Sequence, residues 1–531
     1  MKKMLSLVMA LALIISCLCL PASAEVAYTQ TLRVEVFDRS IAGLNIEDCW
    51  QLHYAQKNFG DPNGIKIEFV PVSRWEEGDI LTTQFNGKTA PDICVTYNGD
   101  LVNAAIADDG VKALDDLIAQ YGQNIVSFLG ETLLAYGAFD PDGDGVKTQY
   151  TIPARRISVV NQGAFVRADW LKTLGMEEPK TIEDLEKYLY AAKEQNLGGE
   201  MTIPFNYGIF TSNPMFALRH YINAFVDFSQ VTEEDWVALK DNPEFLPGAQ
   251  EMFKMLNKWY HDGILYENFA IDTDSTIGDT YMTMGNFGYF MQQYDQPWRT
   301  DKNYQAEMAK NVEGAEWIPV NCWANKYDGR TLHDNYDAAG LTVFIPYWVS
   351  DETAKAAIMY LDWMCQPENM FALQNGTEGI NYEKLNENGL PVGAKPTEEV
   401  PDENKLHAGD VAFMSNGYYF GDDEKNAAYV AMSFPGYEEN VAKSVLYAGS
   451  DAWTQISFTV PIEAATDYSA TVITKQNELI AQVISCDPAE FDAVWAEYTQ
   501  AILDAGAEEV IAAYREAYQA GNYRGTFPGT K

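Results

Sequence analysis

Leu32-Arg33-Val34-Glu35-Val36 alternates apolar with charged residues, the period-two pattern of a β-strand, and Ile65-Lys66-Ile67-Glu68-Phe69 repeats it. Between the two, Ile46 to Gln56 has the length of a helix. A third apolar piece, Ile93-Cys94-Val95, follows Ala90-Pro91-Asp92 and precedes another helix-length segment. Strand, helix, strand, helix, strand is the rhythm of a parallel sheet with right-handed crossovers. Ligands of such sheets sit at the carboxyl ends of the strands, which puts Phe37 to Ser40 and Tyr97-Asn98-Gly99-Asp100 beside any site.

Further along, Thr181 reads as a helix cap with Asp184 three residues on, and Ile182, Leu185, Leu189 and Ala192 form a core-facing stripe. Trp259-Tyr260 falls on a helix. Leu341 to Ile345 reads as a strand followed by a helix from about Asp351 to Met364, and amphipathic helices run from roughly Ala470 to Ala520. Residues 376–410 are rich in Asn, Glu, Gly and Pro. Trp170 and Trp363 lie on helical stripes and are assigned to packing.

At the other end, Lys2 and Lys3 precede a charge-free run from Met4 to Leu20, the signature of a secretory signal. Ala22-Ser23-Ala24 suits cleavage by signal peptidase, while Ile14-Ile15-Ser16-Cys17 satisfies a lipobox that would acylate Cys17. No later window is long and apolar enough to span a bilayer. The protein is expected to be extracellular or periplasmic.

The 36 Lys plus Arg stand against 77 Asp plus Glu in 531 residues, a net charge of −41, which excludes a nucleic-acid partner because counterion release needs a basic face. With 47% hydrophobic residues the chain is folded, not an acidic disordered polymer. The cysteines of the mature chain, Cys49, Cys94, Cys322, Cys365 and Cys486, are odd in number and scattered, so they read as buried thiols with room for one bridge at most. There is no CxxC pair and the histidines are dispersed, which argues against zinc.

Enzyme motifs are absent. Gly87-Lys88-Thr89 has Thr82 where a phosphate loop needs its first Gly, Gly143 and Gly145 stand in an acid-rich stretch that would repel a pyrophosphate, and neither GxSxG nor HExxH occurs. Among so many acids, paired carboxylates at glycosidase spacing are uninformative. One motif does carry chemistry: Asp140-Pro141-Asp142-Gly143-Asp144-Gly145 sets three carboxylates on alternate residues, as a calcium loop does. Asp140, Asp142 and Asp144 would ligate through side chains, Val146 through its carbonyl, and Thr148 or Gln149 through neutral oxygens. The twelfth position is Thr151 where an EF-hand carries Glu.

Taken in order, several segments resemble one family. They are Ala90-Pro91-Asp92-Ile93, Phe165-Val166-Arg167-Ala168-Asp169-Trp170-Leu171-Lys172-Thr173-Leu174-Gly175 leading into Pro179-Lys180-Thr181, Lys258-Trp259-Tyr260-His261-Asp262-Gly263, Gly376-Thr377-Glu378-Gly379-Ile380-Asn381-Tyr382, and Gly506-Ala507-Glu508-Glu509-Val510. The chain is similar to the extracellular solute-binding proteins of bacterial ABC importers, in the carbohydrate-binding group of maltose-, alginate- and LipO-type lipoproteins. The acidic loop resembles the calcium loop of the alginate binders, without their acids at the ninth and tenth positions.

The resemblance implies an α/β, two-lobed, periplasmic-binding-protein-like fold of type II, with discontinuous lobes joined by crossover strands. After a signal peptide at 1–24, the first lobe would take 25–157 and 339–400, and the second 158–338 plus a closing segment at 401–531. It implies a monomer that captures an oligosaccharide and delivers it to the transmembrane subunits of an ABC permease, without catalysis. The alternative class is a secreted carbohydrate-active enzyme, a glycoside hydrolase or lyase; a purely sensing role is a third reading. Sugar clefts combine aromatic rings for the C–H faces with polar side chains for the hydroxyls. The family topology nominates Tyr97, Asn98 and Asp100 after the third strand, Arg155 and Arg156 before the first crossover, and Phe287, Tyr289 and Trp298 in and after the Gly-aromatic run. Tyr347 and Trp348 after the return strand, and Trp453 before the C-terminal helices, complete the expected set.

Overall fold

A computed structural model describes residues 27–41, 43–206, 214–270, 276–300, 302–407 and 409–529; the expected signal segment 1–24, with Cys17, lies outside them. β1 (Gln30–Asp38) and β2 (Ile65–Ser73) run parallel in unbroken register. The expected helix between them is a turn at Ile46–Asp48 followed by a helix over Trp50–Ala55. α1 (Glu77–Asn86) follows β2, and Val34↔Ile93 bridges β1 to β3 (Cys94–Thr96), which leads into α2 (Gly99–Ala107). The hairpin of β4 (Ala138–Phe139) and β5 (Thr148–Gln149) carries the acidic loop, and β6 (Thr151–Arg155) brings the chain to the lobe boundary.

Past this first crossing, β7 (Gln162–Arg167) is the central strand of the second lobe. α3 (Ile182–Glu194) starts where the sequence predicts, with the Thr181 hydroxyl accepting from the Asp184 N–H at 3.2 Å and Leu185, Leu189 and Ala192 buried. α4 (Pro214–Asn223) follows. β8 (Tyr289–Gln293) and β9 (Trp317–Val320) flank β7, both antiparallel to it. The chain returns through β10 (Asp334–Asn335) to β11 (Ala339–Phe344), which lies antiparallel between β3 and β6. The first-lobe order is therefore β2-β1-β3-β11-β6, parallel except for the reversed return strand.

α5 (Asp351–Met364) and the small hairpin of β12 (Lys384–Leu385) and β13 (Pro391–Val392) belong to the first lobe. A third crossing begins at Ser415, bridged to Arg155. The second lobe then closes with α6 (Asp423–Ala431), β14 (Trp453–Thr454) parallel to β10, and β15 (Ser457–Phe458). α7 (Glu463–Ser485), α8 (Glu508–Gln519) and β16 (Tyr523–Arg524), paired with β15, end the described chain.

Among the described residues the two largest apolar clusters fall one in each lobe, with smaller ones around Phe287 and Trp298 and around Leu81 and Phe344. Of the two largest, one gathers Val34, Ile67, Ile93, Ile152, Val343 and Leu361; the other gathers Val166, Leu189, Trp236, Phe253, Trp323 and Val483. Phe413 and Met414 join the first core, so its second portion runs past the expected return at 400: the polar 376–410 stretch is an excursion of the first lobe that ends in this apolar anchor. The five cysteines are free thiols, all but Cys486 buried, as small apolar side chains. Among the described residues no helix is long and apolar enough to cross a membrane.

Candidate functional site

The carboxyl ends of the parallel strands make an aromatic and cationic shelf on the first lobe. Phe37 near the end of β1 stacks on Tyr97 just after β3, their rings 6.1 Å apart. The Arg74 guanidinium, just after β2, lies 4.4 Å from the Tyr97 ring, 5.1 Å from Phe37 and 5.4 Å from Trp75. Trp75 is 80% exposed, so most of its ring is open to a ligand. The Tyr97 turn is held from beneath: the buried Glu77 carboxylate accepts from the Tyr97 N–H at 3.1 Å and from the Thr96 hydroxyl at 2.6 Å. Asn98 spends its side chain capping α2 by accepting from the Leu101 N–H, and Asp100 is exposed in the first turn of that helix.

The shelf meets the crossing segments at Arg156. Its guanidinium lies 5.8 Å from the Tyr97 ring and 4.8 Å from the Tyr336 ring, on the second crossing, so the three form a row across the floor between the lobes. The two crossings are tied by backbone bonds from Arg156 N–H to Ala338 C=O and from Tyr336 N–H to Val159 C=O. A Cβ on Gly340 would stand 3.2 Å from Arg156 Cγ, so glycine there leaves the arginine its space. A cavity of about 690 Å³ adjoins the row, walled by Arg156, Tyr336 and Asn416 from the three crossings, by Tyr382 and Lys395 of the first lobe, and by Tyr294, Tyr429 and Phe434 of the second.

On the second-lobe side of the same crossing, Trp453, Arg219, Lys240, Asp241 and Asp334 line a smaller recess of about 210 Å³. Burial pushes the Arg219 pKa down to about 10 and that of Asp334 up to about 6, each partly offset by the other's charge. Tyr514, whose hydroxyl donates to Asp241, is raised first by burial and then by Asp241, and the charge of Asp100 on the first lobe also reaches it.

The structure brings Tyr97, Asn98, Asp100, Arg156 and Trp453 to this interlobe region, Asn98 with its side chain spent on the helix cap, and places the side chains of the other nominated residues elsewhere. Arg155 points to the opposite side of its strand from Arg156, as consecutive strand residues do. There it donates to the Phe128 and Leu129 carbonyls and packs on Tyr419 at 4.5 Å, closing the carbonyl end of a helical turn. Phe287, Tyr289 and Trp298 are buried: Phe287 meets Tyr266 edge-on, Tyr289 stacks on Phe205 at 5.1 Å, and Trp298 meets Phe165 at 5.5 Å. Their Gly-aromatic run is core, not cleft lining. Tyr347 and Trp348 are a correction of direction. β11 is antiparallel, with Phe344 opposite Cys94, so its carboxyl end lies at the edge of the sheet away from Tyr97. There Tyr347 accepts from Lys88 Nζ at 2.6 Å and Trp348 packs on Phe85 at 4.8 Å. Arg74, Trp75, Tyr336, Arg219 and Asp334 were not anticipated, although Arg74-Trp75 follows β2 directly and the carboxyl-end rule reaches it.

In the acidic loop, carboxylate oxygens of Asp140, Asp142 and Asp144 lie within 4.8 Å of one another. Left-handed backbone at Gly143 and Gly145 curls the loop, and Asp140 accepts from the Asp144 and Gly145 N–H groups. Three converging hard oxygens fit a calcium-type cation. Val146 is exposed next to them, Thr148 sits in β5, and the Gln149 amide nitrogen is occupied by the Leu134 and Thr151 carbonyls.

Residues 55–381, more than half of the chain, match the family model "Bacterial extracellular solute-binding protein". Lipoprotein LipO of Bacillus subtilis is 24% identical over 228 residues, 41% of this chain and 43% of that protein. The fructooligosaccharide ABC transporter substrate-binding protein FusA of Streptococcus pneumoniae is 35% identical over 135 residues, 21% of this chain and 24% of FusA. The matches thus span less than half the length of these curated relatives. Crystal structures of the alginate-binding protein AlgQ2 without calcium ion (TM-score 0.56, 17% identity, covering 93% of this chain and 98% of that one) and of FusA with kestose (TM-score 0.54, 17% identity, covering 93% and 100%) share the two-lobed fold.

Proposed function

The chain belongs to the bacterial extracellular solute-binding proteins, and from that premise we propose that it captures an oligosaccharide between its lobes and delivers it to the transmembrane subunits of an ABC permease. The observation that supports this most directly is the row Tyr97–Arg156–Tyr336, continued by Arg74 and the exposed Trp75. Flat rings take the C–H faces of a sugar, guanidinium groups take its hydroxyls, and the row spans the segments about which two lobes would close. FusA is named for fructooligosaccharides, which makes kestose the first ligand to try. On this reading the protein acts as a monomer, leaves its ligand uncut, works outside the cytoplasmic membrane, and is lipid-anchored if Cys17 is acylated. Its lobes are residues 25–157 with 339–414, and 158–338 with the remainder. Calcium at Asp140, Asp142 and Asp144 would stiffen the β4–β5 hairpin by neutralising three crowded carboxylates, with no part in ligand chemistry.

The test is a melting-shift series with kestose, maltotriose and trigalacturonate, with chromatography of each sugar afterwards. Ligand at about 100 times its dissociation constant stabilises by roughly 2.7 kcal/mol. An intact sugar and a raised melting temperature are expected. No shift with any of the three, or release of cleaved product, would overturn the reading.

A further inference from the structure

We propose that the recess beside Trp453 is a blind subsite that takes a single terminal residue of a neutral sugar chain, gripping two neighbouring hydroxyls between Arg219 and Asp334. It rests on the oligosaccharide reading of the interlobe cleft and adds which end and which charge class enter it. The recess is built from buried groups with unused hydrogen-bonding capacity. Arg219 is 6% exposed and clamped between Trp236 at 4.4 Å and Trp453 at 4.6 Å. Its Nη1 donates to the Lys240 carbonyl, while Nε and Nη2 have no partner. Asp334, 3% exposed, accepts from Gln455 Nε2 through Oδ2 at 3.0 Å, while Oδ1 has no partner. Trp453 Nε1 is a third buried group without one. Buried polar atoms are ordinarily satisfied, and those left open at a functional site await something that supplies the missing bonds.

The missing partner can be specified. Two guanidinium nitrogens, with three N–H groups between them, and an indole N–H require acceptors, and one carboxylate oxygen requires a donor. A hydroxyl offers both in one atom, so one sugar hydroxyl can accept from Arg219 while its neighbour donates to Asp334 Oδ1. Charge excludes an acidic residue. Lys240 and Asp241 are paired at 2.9 Å, and Arg219 and Asp334 balance each other, so a uronate would add a third negative group to a recess already neutral. Size limits the occupant to one ring, because about 210 Å³ falls below the about 300–1,000 Å³ of pockets that take larger ligands. Asp334 lies two residues before Tyr336, so the recess and the floor row are built on the same crossing segment.

The test uses the full mature chain, with kestose, maltotriose and trigalacturonate titrated calorimetrically into wild type, Asp334→Asn and Arg219→Gln. Asp334→Asn keeps the shape of the carboxylate but leaves the buried Arg219 guanidinium without its balancing charge, so circular dichroism first establishes that the variant is folded. The expected result is tighter binding of a neutral trisaccharide than of trigalacturonate by wild type, and at least a roughly tenfold loss in Asp334→Asn. If Arg219→Gln fails to fold, Asp334→Asn decides alone. Unchanged neutral-sugar affinity in a folded Asp334→Asn, or wild-type preference for the uronate, overturns the subsite while leaving oligosaccharide capture standing. Failure of wild type to bind any of the three overturns both.

Discussion

Replacing Glu35 with Gln should make the protein more stable, and by an amount that grows with pH. Glu35 lies in the middle of β1 with no exposed surface; one carboxylate oxygen accepts from the Val95 N–H at 3.2 Å and the other has no partner. Burial pushes its pKa from an ordinary 4.5 to about 8, with the bond from Val95 opposing and the charge of Glu77 adding to the rise. The sign follows from proton binding. Between about pH 4.5 and 8 the native state holds a proton that the unfolded chain has released, so stability is lost as pH rises through that window. At pH 7 the gap from 4.5 spans about 2.5 pH units, worth about 3 kcal/mol at about 1.4 kcal/mol per unit. Gln keeps the acceptor for Val95 and cannot ionise, so it removes the slope. Calorimetry on wild type and Glu35→Gln at about pH 5 and about pH 8 should show near-equal melting at the lower value and a variant higher by a few degrees at the upper. Other buried acids, Glu244 at about 7 and Asp334 at about 6, titrate in both proteins and cancel in the difference. A difference that is the same at both pH values would mean that Glu35 titrates as an ordinary carboxylate, and the account of its burial would fall.

Arg156→Ala should weaken binding of a neutral trisaccharide about tenfold or more by calorimetry, with the apo melting temperature little changed, because the guanidinium meets rings across the floor and none of its N–H groups anchors the core. Trp348→Ala should do the reverse: it removes a ring packed on Phe85, costs about 2–4 kcal/mol in denaturant unfolding, and leaves affinity unaltered since it lies at the far edge of the sheet. Chelator should lower the wild-type melting temperature, and Asp142→Ala should abolish that response; indifference of the wild type to chelator would remove calcium from the account.

The strands of the first lobe were legible because Leu32, Val34 and Val36 alternate with charged residues, yet the same pattern misleads about Glu35. Alternation implies that the charged face is wet, whereas parallel strands carry helices on both faces, so Glu35 is as buried as its apolar neighbours. Tyr97 is nominated by its place at a strand end and Arg156 by its place before the first crossover, and the strand-end rule holds only for strands running with the sheet. The reversed β11 carries Tyr347 and Trp348 to the other edge, and local sequence holds no record of a strand's direction. Phe287, Tyr289 and Trp298 were drawn in by ring density, which an aromatic core and a sugar cleft share; Phe205, Phe165 and Tyr266, distant in sequence, are what enclose them. Arg219 and Asp334 offered no local signal at all, being an unremarkable helix residue and one acid among 77 Asp and Glu.

On the proposed reading, closure of the two lobes would not begin from an unbiased hinge. Arg524, held to the second lobe through β16 and β15, sets its guanidinium 4.5 Å from the ring of Tyr136 on the first lobe, and the charge of Asp337 on the second crossing bears on both. Burial lowers the Arg524 pKa, while Tyr136 and Asp337 favour its charged form. This cation–ring contact is made by the protein alone, so it favours one interlobe angle whether or not a sugar is bound. Apparent affinity equals intrinsic affinity scaled by the fraction of molecules already in the competent arrangement. A clasp of about 0.5–2 kcal/mol would therefore move that fraction severalfold to tens-of-fold without touching the ligand. On the proposed reading, affinity would be divided between two sets of side chains: the floor row and recess, which would read the sugar, and the Arg524–Tyr136 contact, which would set how much of the sugar's binding energy is left over after closing the lobes.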